Sequence, residues 1–199
     1  MKNNYIEMME KRRSIYVIGK NVEQTEEALL NTITDAIKHS PSAFNSQTSR
    51  VVVLFNEHHM KLWAIVEEKL RAIVPVERFT ATEEKLATFS AGFASILFFE
   101  DQDIIKQFQD QFSLYADQFP IWSEQATGIA QHSVWTALAQ EGLGASLQHY
   151  NPLIDQAVKD EWKIPDTWKL TGQMPFGSIE AAPGEKEFIA DAGRIIVFN

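Results

Sequence analysis

Residues 125–140 contain no Asp, Glu, Lys or Arg. The apolar side chains of this predicted helix are Ile129, Val134, Trp135 and Leu138, beside Gly128 and several alanines. A helix without a charged face has to be buried. A membrane span would need about twenty predominantly apolar residues, whereas this stretch includes Gln131, His132, Ser133 and Thr136. We therefore expect a central helix that is covered on all sides, partly by another subunit.

The composition is that of a chain that can bury one substantial core. Its 199 residues are 45% hydrophobic, and we expect a single domain over residues 1–199. A formal net charge of −9 argues against nucleic-acid binding, since nucleic-acid binders usually carry a basic face. The chain has no cysteine, which excludes disulfides, cysteine nucleophiles and thiolate metal sites. Any redox chemistry would therefore need a bound cofactor.

The N-terminal residues do not form an apolar signal segment. Charged side chains interrupt them at Lys2, Glu7, Glu10 and Lys11, so secretion by a cleaved signal is not expected. Together with the negative net charge, this predicts a cytoplasmic protein whose partners include neither a membrane nor a nucleic acid.

A polar loop, residues 40–47, separates a helix predicted over residues 23–39 from a strand predicted over residues 50–55. The loop reads Ser40-Pro41-Ser42-Ala43-Phe44-Asn45-Ser46-Gln47. Three hydroxyls and two amides beside a rigid proline can hold a polar ligand. The alternative is an ordinary capped turn, in which Ser and Asn side chains bond their own backbone.

A second candidate segment is Arg12-Arg13-Ser14, which ends a short amphipathic helix near the N-terminus. Two guanidinium groups beside a hydroxyl suit a phosphate, because arginine presents a planar fork of donors and keeps its charge. The alternative is a solvated cluster near a helix C-terminus, where cations are favoured in any case.

Together, the two segments resemble the nitroreductase family of flavin mononucleotide (FMN) oxidoreductases. That family has an early Arg-x-Ser segment, here Arg12-Arg13-Ser14, and later a Pro-Ser-x-x-Asn-x-Gln loop, here residues 41–47. Further segments look like its short bacterial and fungal branch, namely residues 95–101, 142–151, 174–177 and 185–188. That branch includes fungal proteins linked to fatty-acid regulation, the fatty-acid-repression type, and bacterial proteins induced by metal or oxidative stress.

The resemblance implies an α+β fold, in which helices flank a central, mostly antiparallel sheet. The predicted strands are residues 50–55, 95–99, 145–148, 169–175 and 194–198. It also implies an intertwined homodimer whose flavin lies at the subunit interface. In this family a C-terminal segment tends to reach across to the partner subunit.

The resemblance assigns most of the candidate cofactor-binding residues to two groups. The FMN phosphate would be held by Arg12, Arg13 and Ser14, with Arg194 as a further contact. Polar atoms of the ribityl chain or the ring would be bound by Asn45 and Gln47, on a loop shaped by Pro41 and Ser42. No catalytic side chain and no metal ligand is implied, since FMN carries the chemistry.

His149 and Tyr150 stand where the family commonly has a Glu-Gly pair beside the flavin pyrimidine ring. This departure leaves two alternatives. Either the segment contacts the flavin, through its backbone or through the His149 side chain, or the two residues simply pack at the end of a strand.

The implied activity is a ping-pong oxidoreductase. NADH or NADPH would reduce FMN and leave, and a small electron-poor acceptor such as a nitroaromatic or a quinone would then be reduced. One alternative is a more specialised flavoenzyme of the same fold, such as a dehalogenase or a flavin-fragmenting enzyme. The others are a flavin-binding regulatory protein that responds to redox state or lipid with little turnover, and a flavin-free interaction module.

The histidines and aromatic residues do not add a catalytic set. His58 and His59, at a predicted helix start, are expected to be solvated, and His132 to be buried and hydrogen-bonded. The tryptophans are expected to fill the core, and none is assigned to the flavin. Phe44, inside the polar loop, would either line the substrate side of the flavin ring or anchor the loop. No spacing of ligands predicts a metal site.

Overall fold

The computed structural model of the protein describes residues 3–198. Within that range the helices are α1 (Asn4–Lys11), α2 (Glu26–Lys38), α3 (Asn56–Arg71), α4 (Val76–Ser90), α5 (Gln102–Gln111), α6 (Phe119–Gln140) and α7 (Asp155–Trp162). The strands are β1 (Ile18–Gly19), β2 (Ser49–Phe55), β3 (Ala94–Asp101), β4 (Gly144–Ala145) and β5 (Trp168–Ile179). Short 3-10 turns cover Ala43–Asn45, Ser113–Gln118 and Asp191–Gly193.

The strands form one sheet in the order β1-β5-β3-β2, with β4 paired to β5. All of these strand pairings are antiparallel. The central strand β3 is buried along nearly its whole length, which explains why its sequence is a continuous apolar run instead of an alternating pattern. The predicted α+β fold with a mostly antiparallel central sheet is confirmed.

Two hydrophobic cores lie on opposite faces of this sheet. Alternate residues of β3 point to opposite sides, so Ile96 and Phe98 enter one core and Leu97 and Phe99 the other. The first core is completed mainly by α2 and α6. The second is completed by α3, α4 and α7.

The bounds of α2 follow from its cap. Thr25 Oγ1 accepts a hydrogen bond from the Ala28 N–H at 3.1 Å, which gives a partner to a backbone donor that the first helical turn leaves unpaired. The helix predicted from residue 23 therefore begins only at Glu26, and it ends at Lys38.

Helix α6 contains the charge-free stretch and packs against α2, the sheet and α1. One side of the helix is buried, including Ala130, Val134 and Leu138, whereas Ile121 and Ile129 are 48% and 42% exposed. A single chain therefore covers only part of the helix surface. None of the helices in the described part of the chain has the length and apolar character needed to span a membrane.

Strands β2, β3 and β5 lie where the sequence predicts them, and each is somewhat longer than predicted. The strand predicted over residues 145–148 is shorter and shifted. Strand β4 ends at Ala145. Beyond it the contact with β5 continues through the Ser146 N–H, which donates to the Pro175 carbonyl at 3.3 Å, and through an isolated pairing of Gln148 with Gln173.

The strand predicted over residues 194–198 is wrong. In the described chain these residues follow the 3-10 turn Asp191–Gly193 and pair with no strand. Their apolar side chains, from Ile195 to Phe198, are between 63% and 93% exposed. An apolar β-branched run has strand propensity, but a strand forms only where another strand offers unpaired backbone groups.

His59 is also wrongly predicted, because it is buried instead of solvated, with 1% of its surface exposed. Helix α3 begins at Asn56, and the helical period places His59 on the same inward side as Trp63 and Val66. The sequence alone did not fix the start of this helix, and the inward side depends on that start.

The buried imidazole is fully hydrogen-bonded. His59 Nε2 lies 3.2 Å from the Ser90 carbonyl oxygen, and its Nδ1 lies 2.9 Å from Ser95 Oγ. Because a carbonyl only accepts, Nε2 carries the proton and the Ser95 hydroxyl donates to Nδ1. The same hydroxyl accepts the Trp63 Nε1–H at 3.1 Å. Burial lowers the pKa of His59 to about 4, which keeps the ring neutral at physiological pH.

Candidate functional site

The segment Arg12–Ser14 leaves α1 as an extended chain and runs beside β4. Ser14 forms an isolated parallel bridge with Ala145, and the Ile15 N–H donates to the Ala145 carbonyl at 2.9 Å. The segment lines a cavity of about 470 Å³, whose wall consists of residues 12–17 and 181–186.

The Arg12 guanidinium is held by an aromatic ring instead of by hydrogen bonds. Its Cζ lies 4.4 Å from the centroid of the Trp135 ring. No residue between 3 and 198 accepts a hydrogen bond from its N–H groups or pairs with its charge. Burial lowers the pKa of Arg12, and the neighbouring Arg13 charge lowers it further. A bound anion would offset both effects.

Arg13 ties the N-terminal segment to the chain after β5. Its Nη2–H donates to the Gly184 carbonyl at 2.7 Å. Three cations, Arg12, Arg13 and Lys186, line the 470 Å³ cavity against one carboxylate, Glu185. The same three cations also line a neighbouring cavity of about 530 Å³. The excess of positive charge is what a phosphate site requires.

The polar loop is built on a strained backbone. Phe44, Asn45 and Gln47 have φ angles of 56°, 52° and 49°, in the left-handed region that residues other than glycine seldom adopt. Ser42 Oγ accepts the Gln47 N–H at 2.9 Å, and the Asn45 N–H donates to the Ser42 carbonyl at 3.0 Å. Ser42 therefore caps the turn through hydrogen bonds from backbone N–H groups, as in the alternative interpretation of the loop.

The two amide side chains of the loop are exposed. Among the described residues, the Asn45 side chain has no hydrogen-bond partner. Gln47 Nε2–H donates to the Asn45 carbonyl at 3.3 Å and to no other residue between 3 and 198. Strained backbone of this kind concentrates at functional sites, and here it places two amides where a ligand can reach them.

Phe44 anchors the loop. Its ring lies against an aromatic cluster, with centroid distances of 4.8 Å to Phe112, 5.5 Å to Phe119 and 5.9 Å to Trp122. The Phe44–Trp122 pair is stacked at 23°. Half of the Phe44 surface is nevertheless exposed, so the ring also offers an apolar face to a ligand.

Arg50 is a candidate residue that the sequence analysis missed. Its Nη1–H groups donate to the Gln47 and Ser49 carbonyls at 2.7 and 3.0 Å, and Nη2 lies 3.1 Å from Asp101 Oδ2. It lines a cavity of about 330 Å³ together with Pro41 and Gln47. The signal in the sequence was a lone cation at the head of an apolar strand, directly after the polar loop.

Within one chain, the Arg12 segment and the polar loop lie at separate cavities. No residue that lines the two cavities of Arg12 also lines the cavity of the loop. Helix α6 passes both places, with Ala126 at the loop cavity and Trp135 beneath Arg12. The structure thus assembles each motif but does not join the two motifs in one cavity.

The segment around His149 is fixed by Gln173 of β5. Gln173 Oε1 accepts the Tyr150 N–H at 2.7 Å, and the Gln148 and Gln173 backbones exchange two hydrogen bonds of 2.7 and 2.9 Å. The Tyr150 ring packs edge-on against Trp63 in the second core, and burial raises the pKa of its hydroxyl. His149 is exposed, and its N–H has no partner among the described residues.

Two other predicted residues lie apart from these contacts. Arg194 is exposed after the last 3-10 turn, where its N–H donates to the Asp191 carbonyl at 2.8 Å, and it lines none of the cavities above. His132 is half-buried instead of fully buried. Burial lowers the pKa of His132, and the Arg12 charge adds to this effect. No group of His, Asp or Glu between residues 3 and 198 could hold a metal ion.

Comparison with solved structures supports an oxidoreductase site. The nitroreductase CinD from Lactococcus lactis in complex with 4-nitrophenol is 54% identical, with a TM-score of 0.90 over 98% of this chain and 100% of that chain. CinD in complex with chloramphenicol is 53% identical, with a TM-score of 0.91 over the same shares of the two chains. A Desulfitobacterium hafniense nitroreductase with bound FMN shares the fold at 17% identity, with a TM-score of 0.72 over 100% of each chain.

Comparison with sequences gives the same result. The Saccharomyces cerevisiae protein HBN1 is 34% identical over 197 residues, which are 98% of this chain and 97% of HBN1. The model of the nitroreductase family matches residues 9–178, a span that includes Arg12–Ser14, the polar loop and the segment around His149. The chain therefore belongs to the nitroreductase family.

Proposed function

We propose that residues 1–199 form one FMN-binding domain of a cytoplasmic, homodimeric oxidoreductase. It uses NADH or NADPH to reduce small electron-poor aromatic acceptors, such as nitroaromatics and quinones. The observation that carries this proposal is the Arg12 guanidinium, which is half-buried in a cavity with excess positive charge and meets no hydrogen-bond acceptor between residues 3 and 198.

The residues at this cavity fit the phosphate end of FMN. Arg12 offers a planar set of donors that a phosphate can accept in pairs, and Arg13 and Lys186 supply further positive charge. Ser14 adds a hydroxyl at the same wall. Arg194 remains a proposed further contact, because the C-terminal segment that carries it is exposed in the single chain.

The residues proposed for the other end of FMN are the amides of the polar loop and the backbone of His149. Asn45 has no partner for its side chain in the described chain, and the His149 N–H is also unpaired there. Because the Tyr150 N–H is already bonded to Gln173, we assign the backbone contact with the flavin to His149.

A site shared between two subunits explains why the motifs occupy separate cavities. In our proposal the Arg12 segment of one subunit and the polar loop of its partner approach the same FMN. The exposed apolar residues of α6, Ile121 and Ile129, and the exposed run from Ile195 to Phe198 supply the apolar surface that a permanent interface requires.

FMN, when bound, would supply the redox chemistry by taking electrons from NADH or NADPH and passing them to the acceptor in a ping-pong sequence. The side chains of this protein bind and orient. Arg12 and Arg13 balance the phosphate charge, Asn45 and Gln47 bond polar atoms, and the exposed face of Phe44 stacks on a flat acceptor. The 4-nitrophenol complex of CinD supports this class of acceptor.

The first test is the absorbance spectrum of the purified protein. We expect a yellow protein with about one FMN per chain, because each chain contributes one Arg12 cluster and one polar loop. A colourless protein that takes up no FMN on incubation would contradict the proposal. Light scattering should give a dimer, and a species of 22.6 kDa at micromolar concentration would contradict the shared site.

The second test is steady-state kinetics with NADH or NADPH and 4-nitrophenol or a quinone. Initial rates at several fixed acceptor concentrations should give parallel double-reciprocal lines, because the oxidised nucleotide leaves before the acceptor binds. Intersecting lines would show that both substrates occupy the protein together, and would contradict the ping-pong sequence.

A further inference from the structure

We propose that Trp135 is a positioning residue of the phosphate site, which holds the Arg12 guanidinium flat so that its N–H groups face the ligand. This inference rests on the proposed function, since it takes the ligand of Arg12 to be the FMN phosphate. It assigns a role to a tryptophan that the sequence analysis expected only to fill the core.

The geometry of the pair leaves all donors of Arg12 available. A guanidinium has two flat faces and an edge that carries five N–H donors. The Trp135 ring, with its centroid 4.4 Å from Arg12 Cζ, occupies a face and competes for none of the donors. Carboxylates are the usual alternative for holding an arginine, but they would use the same N–H groups that a phosphate needs.

The indole ring is itself fixed by the strand beside the phosphate segment. Trp135 Nε1–H donates to the Ala145 carbonyl at 3.1 Å, and this carbonyl also accepts the Ile15 N–H at 2.9 Å. Ser14 forms its bridge with the same residue. Ala145 therefore sets the position of Trp135, and through it of Arg12, relative to Ser14.

The aromatic ring also offsets an electrostatic cost. Burial and the adjacent Arg13 charge both disfavour the charged form of Arg12. The negative face of an indole stabilises a cation placed over it, and more so when the pair is partly desolvated. The charged form of His132, one turn earlier on α6, is likewise disfavoured, because burial and the Arg12 charge lower its pKa.

The test compares FMN with riboflavin, which lacks the phosphate, in binding titrations of the apoprotein. Trp135→Leu should raise the dissociation constant for FMN by about 3- to 30-fold and leave that for riboflavin unchanged. The matched control is Trp162→Leu. Trp162 is also half-buried and donates its Nε1–H to another residue, His58, but it packs in the core on the opposite face of the sheet.

Two further measurements separate positioning from folding. In the Arg12→Ala background, Trp135→Leu should cause no further loss of FMN affinity, because the ring acts only through Arg12. If Trp135→Leu does not fold, fluorinated tryptophans at position 135 keep the shape and the N–H but weaken the negative face of the ring. Affinity for FMN, and not for riboflavin, should then fall with each added fluorine.

The inference is overturned if the Trp135→Leu or fluorinated proteins bind FMN as tightly as the wild type. It is also overturned if FMN and riboflavin lose affinity equally, since that pattern reports a general structural defect. Failure of the proposed function looks different, because the wild-type protein itself would then bind neither FMN nor riboflavin.

Discussion

Two polar side chains on opposite faces of the sheet, His59 and Arg12, differ in whether the chain supplies their hydrogen-bond partners. On the α3–α4 side, His59 is buried and both of its ring nitrogens are hydrogen-bonded. On the α1–α6 side, Arg12 is half-buried and its donors reach no acceptor in residues 3–198. Both side chains are at least partly removed from water, but of the two only His59 regains hydrogen bonds from residues 3–198.

We interpret this difference as a structural role for His59 and, in line with the proposed function, a binding role for Arg12. A buried polar group that is fully bonded holds the elements around it in one arrangement, and it costs stability when a bond is removed. A group whose donors stay unpaired costs free energy until a ligand satisfies them. We therefore expect changes at His59 to alter folding and changes at Arg12 to alter ligand binding.

The largest effect should be the pH dependence of stability that His59 causes. The side chain takes up a proton near pH 6.5 in the unfolded chain, but only near pH 4 in the folded protein. The unfolded state therefore binds more protons between these values, and the free energy of unfolding should fall by roughly 3 kcal/mol as the pH drops from 7 to 4.

The measurement is denaturant unfolding at a series of pH values, in the wild type and in His59→Gln. The variant should be less stable at pH 7, because Gln cannot reproduce both hydrogen bonds, but its stability should depend less on pH between 5 and 7. Equal slopes for the two proteins over this interval would show that His59 does not titrate as a buried neutral ring.

The next effect is the loss of FMN affinity in Arg12→Ala. Removing a charge-assisted hydrogen-bond donor should weaken FMN binding by about 1.5–3 kcal/mol. The apoprotein should keep its stability within about 1 kcal/mol, because only the contact with Trp135 is lost. The control is Lys11→Ala, which removes a neighbouring exposed cation that lines neither cavity of Arg12. If the two variants lost FMN affinity equally, Arg12 would contribute only through its positive charge and not through a direct contact with the phosphate.

Arg50 is intermediate between Arg12 and His59. It lines a cavity, as Arg12 does, but its N–H groups are already bonded to the Gln47 and Ser49 carbonyls and to Asp101. Arg50→Met should weaken FMN and riboflavin equally, by about 1 kcal/mol, since Arg50 acts by fixing the Gln47 carbonyl and not by contacting the phosphate. Lys38→Met is the matched control, because Lys38 is an exposed cation of the same cavity. If Arg50→Met weakened the binding of FMN but not of riboflavin, Arg50 would act on the phosphate, as proposed for Arg12. The distinction between arginines with unpaired donors and arginines with bonded donors would then fail.

Local patterns predicted most of the fold. The apolar runs of β2 and β3 and the periodicity of α2 depend on neighbouring residues, so the sequence places them within a few positions. The burial of His59 depends on where α3 begins. The absence of a strand at residues 194–198 depends on whether another strand is available for pairing. Neither the burial of His59 nor this absence can be predicted from the local sequence.

The sequence locates the two candidate motifs, but not how the fold arranges them relative to each other. The residues of the two motifs are contiguous, so resemblance was enough to find Arg12–Ser14 and the loop around Asn45. Trp135 and Arg50 were missed because their roles come from contacts across the fold, with Arg12 in the extended segment after α1 and with Asp101 on another strand. Local sequence patterns do not indicate such contacts between distant segments.

The smallest effect should come from the His149 side chain. It is exposed, and we assign the contact with FMN to its backbone N–H, which a substitution to Ala preserves. His149→Ala should therefore change FMN affinity by less than about twofold, the range of a surface substitution, and leave the midpoint potential of bound FMN nearly unchanged. Gln173→Met is the informative contrast, because it frees the Tyr150 N–H and loosens the segment, and it should weaken FMN more. If His149→Ala instead lowers the midpoint potential of bound FMN and slows hydride uptake, the imidazole itself stabilises the reduced flavin. The His149 side chain would then be a second group, beside Arg12, that binds the ligand.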